Sequence, residues 1–299
     1  MSNSSASTAA AQAQRVSALS SYIALVKPKQ TALLVATGIG AYILVAAPSI
    51  DWTRLALGAI TLGLSVSGCT ILNMVLDRDI DAMMGRTSRR PLPAGEIDVR
   101  LATVAGMVMS VTGVVAAAMI SPLFWAVIGC GFFFDLVIYT MWLKRRTPYS
   151  ILFGGISGGM PALAGSVLAV GRVDGVGLLL AAGVVLWIPS HILTLAMRYE
   201  GEYGEAGVPV WSNVYGADIT RRIIAAATFL AAVSLTLAGV LEQIALPALV
   251  LLGALGVAMC ALAVLGLMRP SERMNWVLFK SASAYMVGAF SCLILGVVL

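Results

Sequence analysis

Nine apolar stretches, each close to the ~20 residues that an α-helix needs to span the ~30 Å hydrocarbon layer of a bilayer, dominate this chain. They fall near residues 30–48, 54–76, 101–120, 122–143, 151–170, 175–197, 222–241, 244–268 and 276–298. No run of alternating ten-residue segments marks a β-barrel, so the backbone polar groups must be satisfied inside helices. The expected fold is an all-α membrane protein, a bundle of nine transmembrane helices around a central cavity open to the cytoplasmic side. Residues 1–20, rich in Ser, Ala and Gln, are expected to be a disordered tail without the apolar run of a signal peptide. Residues 21–299 then form one transmembrane domain. Composition agrees, with 60% hydrophobic and only 11% charged residues, far from the ~25% charged of a soluble domain.

A net charge of +5 invites a nucleic-acid reading, but the bases lie in short clusters between the apolar runs. Arg78, Arg86, Arg89, Arg90, Arg100, Lys144, Arg145, Arg146, Arg198, Arg221 and Arg222 alternate onto one side of the membrane, with Lys27 and Lys29 before the first helix. Only Arg54 and Arg172 fall on the other. The positive-inside rule places the N-terminus in the cytoplasm and predicts a multi-pass protein of the cytoplasmic membrane, with lipid as its surroundings and no nucleic acid as partner. The four cysteines, Cys69, Cys130, Cys260 and Cys292, lie inside apolar stretches with no paired spacing, and read as small buried residues.

Ten of the 14 acidic residues share the basic side, most of them in two long connections, 77–100 and 198–221. Long polar loops among short ones are where function usually sits. They follow the second and sixth helices, a spacing that suggests a four-helix pseudo-repeat plus a ninth helix. Asn73, Asp77 and Asp81 recur every four residues, which sets three oxygen-bearing side chains on one helical face at the membrane edge and turns Asp79 elsewhere. Two carboxylates and an amide are hard ligands suited to Mg²⁺, held mainly through substrate phosphates. Arg86, Arg89 and Arg90 follow directly, and guanidiniums clamp phosphates bidentately. A plain solvated helix end remains open for this run of charge. Lys144 and Arg145 close the fourth helix after Tyr139-Thr140-Met141-Trp142, where interfacial anchoring is the alternative. Asp135 stands mid-helix, where a carboxylate is costly unless it faces the interior. Gly154, Gly155, Gly158, Gly159 and Gly165, with Pro161, suit close helix packing.

The run Asn73-x₃-Asp77-x₃-Asp81, followed by Arg86-x₃-Arg90-Pro91-Leu92, resembles the UbiA superfamily of intramembrane prenyltransferases. Tyr139-Thr140-x₂-Leu143-Lys144-Arg145-Arg146-Thr147-Pro148, Trp187-x₃-His191 and Glu202-Tyr203-x₂-Ala206-Gly207-Val208-Pro209 are similar to its haem-farnesylating branch, over Lys27-Pro28 to about Tyr215. The resemblance implies transfer of farnesyl from farnesyl diphosphate to a vinyl group of haem B. It further implies catalytic roles for Asn73, Asp77, Asp81, Glu202 and Tyr203, with Mg²⁺ on Asn73, Asp77, Asp81 and Glu202. Diphosphate would be bound by Arg86, Arg90, Lys144 and Arg145, and haem by His191, the only histidine. A product made for terminal oxidases implies a haem-modifying enzyme or terminal oxidase as a partner. Glu200, Glu202, Glu205 and Ser190 depart from that branch's usual Lys, Asp, Arg and Pro. Two rival readings stay open. One is prenyl transfer to an aromatic quinone precursor, whose enzymes carry two aspartates in the second loop. The other is a transporter, which would place its polar groups near the midplane.

Overall fold

The computed structural model describes residues 20–299, so the expected tail lies outside the described residues except for its last position. Nine helices long and apolar enough to cross a membrane occupy the described residues, each within about five residues of its expected bounds. They are α1 (Pro28–Ala46), α2 (Trp52–Leu76), α4 (Val99–Ile120), α5 (Pro122–Phe132) with its continuation Phe133–Leu143, α6 (Ser150–Val170), α7 (Gly175–Arg198), α10 (Ala217–Leu241), α11 (Leu246–Met268) and α12 (Glu272–Val298). Three short helices sit in the long connections: α3 (Arg78–Met83), α8 (Glu200–Glu205) and α9 (Trp211–Tyr215).

Local chemistry sets the helix ends. Asp51, Asp98, Ser121, Asp174 and Ser271 each accept a backbone N–H of the first turn that follows them, satisfying donors that the helix leaves orphaned. Gly171, at φ 72°, ends α6 in the left-handed conformation, which glycine enters without a Cβ clash. The most extensive pairings are α2 with α4 and α7 with α10. These are spans two with three and six with seven, the offset of four that the pseudo-repeat requires. The largest cluster of buried side chains, including Leu180, Leu235, Leu252 and Leu293, joins α1, α6, α7 and α10–α12. Residues such as Met119, Leu246 and Val257 turn outward, as a lipid-facing surface demands.

Close approach of α1 to α6 depends on Gly165. A Cβ there would lie within 1.9 Å of the Gly38 carbonyl oxygen, a backbone atom that no side-chain rotation can move aside. Gly165→Ala should therefore lower the thermal stability of detergent-solubilised protein by about 1–3 kcal/mol through overpacking. A melting curve unchanged from wild type would show that α1 and α6 separate at little cost.

The continuation of α5 is π-helical over Phe133–Leu143. Such segments are rare and usually brief. In an α-helix, at about 100° per residue, positions 135 and 144 would lie roughly half a turn apart. At the roughly 80° per residue of i→i+5 bonding, Asp135, Tyr139 and Lys144 return to one face. The register is visible in the backbone bond from Lys144 N–H to the Tyr139 carbonyl, 2.8 Å.

Candidate active site

α2 ends where the chain leaves the apolar layer. Asp77 closes it and opens α3, yet the four-residue ladder runs through the junction: Asp77 N–H donates to Asn73 O at 2.9 Å and Asp81 N–H to Asp77 O at 2.8 Å. The expected single face of Asn73, Asp77 and Asp81 is thus kept across a change of helix. Both carboxylates are enclosed, Asp77 at 3% and Asp81 at 4% exposure.

Each carboxylate faces a cation. Lys144 Nζ donates to Asp77 Oδ2 at 2.5 Å, and Arg90 Nη1 to Asp81 Oδ2 at 2.6 Å. Burial by itself would depress the Lys144 amine, but Tyr139 and Asp77 outweigh it and hold its pKa above the ordinary lysine value. Thr87, fully buried, donates to the Asp81 carbonyl at 3.0 Å and fixes the turn that carries Arg90. The Asn73 amide donates through Nδ2 to Thr140 Oγ1 at 2.7 Å, and Thr140 donates in turn to the Asp135 carbonyl at 2.7 Å. That chain leaves the Asn73 amide oxygen free to act as a ligand.

The two long connections meet. Glu202 Oε2 accepts the Arg86 backbone N–H at 3.2 Å, Arg86 Nη2 donates to the Tyr203 hydroxyl at 3.4 Å, and the Arg86 guanidinium lies 5.5 Å from the Tyr199 ring centre. Arg145, expected in the diphosphate clamp, is paired with Asp79. Both its terminal nitrogens bond Asp79, at 2.6 and 2.7 Å, and one also reaches the Leu76 carbonyl. This pairing holds the Asp79 carboxyl down at about 2. The turn at Lys144 aims that side chain inward and the next one outward, which sequence spacing alone did not reveal.

Lys27, which sequence reasoning took only as a topology signal, is electrostatically linked to the site. It sits in the left-handed conformation at φ 43°, immediately before Pro28. Burial, then the neighbouring Arg90 and Lys144, lower its amine to about 8, with Asp81 and Asp77 acting in the opposite sense. The available signal was a lysine directly before a proline at the membrane edge. Asp135 faces the interior as expected, accepting from Cys69 Sγ and Ser157 Oγ, each at 3.3 Å.

His191 lies elsewhere, between α7 and α12. Its ring stacks on Trp187 at 5.0 Å and on Phe279 at 4.5 Å, and its Nδ1 is 3.3 Å from the Ser283 hydroxyl.

A divalent cation fits the Asn73–Asp77–Asp81 face. Asp77 Oδ1 is buried and has no hydrogen-bond partner, so one hard oxygen is already desolvated and uncommitted. Among the described residues no three acidic, Cys or His side chains cluster as a complete metal site. Glu202 stands with Arg86 instead, and the ligand set is one that a substrate's phosphate oxygens would complete.

A bundle of nine membrane helices with paired acidic and basic loops at one end defines a class of intramembrane transferase, and sequence comparison agrees. The UbiA prenyltransferase family matches over residues 33–288, and the chain belongs to that family. It is 38% identical to the protoheme IX farnesyltransferase of Pyrobaculum neutrophilum over 88% of this chain and 94% of that one. It is 44% identical to the protoheme IX farnesyltransferase of Archaeoglobus fulgidus over 70% and 74%. Among solved structures, a digeranylgeranylglyceryl phosphate synthase superposes with a TM-score of 0.78 at 20% identity, over 94% of this chain and 99% of that chain. A UbiA homologue from Archaeoglobus fulgidus, bound to DMAPP and Mg²⁺, superposes with a TM-score of 0.65 at 14% identity, over 91% and 98%. These two likenesses establish the fold.

Proposed function

We propose that the chain transfers a farnesyl group from farnesyl diphosphate to a vinyl group of haem B. The observation that carries this reading is the 38% identity, spanning 88% of the chain, to a protoheme IX farnesyltransferase. Asn73, Asp77 and Asp81 would hold Mg²⁺, with Glu202 brought in from the second loop. When bound, the ion supplies positive charge to the leaving diphosphate. Arg86, Arg90 and Lys144 bind the phosphate oxygens and stabilise the charge that grows as the allylic C–O bond breaks. Arg145 contributes through Asp79, by bracing the loop that bears the carboxylates. Tyr203 holds Arg86 in place. The vinyl carbon bonds to farnesyl C1, water adds to the resulting cation, and one proton is lost to solvent. His191 supplies the axial ligand of the haem iron. Nδ1 lies 3.3 Å from the Ser283 hydroxyl, so iron would be taken by Nε2, the other ring nitrogen.

Purified protein given Mg²⁺ and farnesyl diphosphate should convert haem B to the hydroxyethylfarnesyl haem, detected by mass spectrometry, and leave 4-hydroxybenzoate unmodified. The reverse preference would transfer the protein to the aromatic-ring branch of its family.

We place the acidic and basic loops in the cytoplasm, because the bases gather there. A C-terminal alkaline phosphatase fusion should be active and a C-terminal green fluorescent fusion dark. The opposite pair of results inverts the topology.

A further inference from the structure

His191 belongs to a column of four aromatic rings. Trp187, His191, Phe279 and Trp276 stack in order, with centroid steps of 5.0, 4.5 and 4.9 Å and interplanar angles of 14°, 18° and 15°. Trp187 Nε1 donates to the Ala282 carbonyl at 2.7 Å and fixes one end. At the other end two cations cover the Trp276 ring, the Arg198 guanidinium at 4.4 Å and the Lys280 ammonium at 5.3 Å. None of the four rings is fully buried.

Two cations on one ring exceed what helix anchoring needs. Their compensation by protein is slight: Arg198 reaches Glu272 only at 3.8 Å, and that carboxylate is 78% exposed. Arg198 precedes Tyr199, whose ring lies under the Arg86 guanidinium, so the chain that carries the cationic end of the column runs directly into the second long connection. An imidazole that ligates iron stands perpendicular to the porphyrin plane. A porphyrin on His191 therefore lies along the edges of the stacked rings, not between them.

We propose that this column is the seat of the acceptor, and that Arg198 and Lys280 anchor the two carboxylates of a dicarboxylate porphyrin. The inference rests on the haem reading above and adds a recognition site to it. The iron sits at the His191 edge in the apolar layer. The carboxylates point along the column to the membrane edge, where a planar guanidinium pairs with a carboxylate in two parallel bonds.

Titration of the detergent-solubilised protein with ferric haem and with its dimethyl ester, followed in the Soret band, tests this. Arg198→Gln and Lys280→Gln should each weaken haem binding about tenfold, equivalent to ~1.4 kcal/mol. The Soret position and the affinity for the ester should not change. His191→Ala should shift the band for both ligands. In turnover assays the KM for haem should rise in the two Gln variants and that for farnesyl diphosphate should stay constant. If wild-type protein farnesylates haem yet the Gln variants bind it normally, or lose haem and ester equally, the anchoring role is overturned and the haem reading survives. If wild-type protein neither binds nor modifies haem, both fall together.

Discussion

Asp81→Asn should reduce turnover by about 100-fold or more, the scale of loss seen when one preorganised electrostatic stabiliser is removed from a transition state. The substitution keeps size and one oxygen, and it removes the charge that a divalent cation and its diphosphate require. Its folding cost should be small, because the partner Arg90 retains 28% side-chain exposure and can reach water. Asp77→Asn should lose turnover to a similar degree. It should also destabilise the protein, because the Lys144 amine is only 14% exposed and Asp77 is its hydrogen-bonded partner. Steady-state rates and melting curves, each with and without Mg²⁺, separate the two effects. Near-normal turnover in both variants would remove Asn73, Asp77 and Asp81 from the diphosphate site.

Lys144→Met should cost about 3–5 kcal/mol of stability, the penalty for leaving one member of a buried pair uncompensated. With the lysine gone, neither oxygen of Asp77 has a partner, since Oδ1 has none even in the intact protein. The double variant Lys144→Met/Asp77→Asn should recover a large part of that loss, a coupling that two independent sites would not show. Because the folded pKa of Lys144 is raised, its contribution is complete below the ordinary lysine value and fades only as pH climbs through the raised one. The pair should therefore show no lysine-derived loss of stability between about pH 6 and 9. Additive losses in the double variant would mean that Lys144 serves packing alone.

Much of this architecture was legible because membrane helices are written in long apolar runs and their connections in charge. The face formed by Asn73, Asp77 and Asp81 followed from spacing, and the meeting of Arg86 with Glu202 and Tyr203 agreed with the two-loop pattern. Other features had no local signal. The stretch Phe133–Leu143 is apolar apart from Asp135, Tyr139 and Thr140, and nothing in its composition distinguishes i→i+5 bonding from the ordinary helix. The inward turn of Lys144 and the outward turn of Arg145 follow from that register. Phe279 and Trp276 lie about ninety residues beyond His191, so their stacking is a product of how α12 packs on α7. Lys27 reads as a topology signal, and only its burial and the charges of Arg90, Lys144, Asp81 and Asp77 acting on its amine link it to the site.

Setting the acidic and basic groups at the rim of the bundle, and the aromatic column below them, sorts material between two phases. Diphosphate released among Arg86, Arg90 and Lys144 opens onto water, where it is fully hydrated and dilute. A porphyrin that has gained fifteen carbons gains on the order of 0.8 kcal/mol of membrane affinity for each buried CH₂. It leaves sideways into lipid, and the two products do not meet again. In the proposed reaction this partition opposes reversal, and it leaves the lipophilic product concentrated in two dimensions.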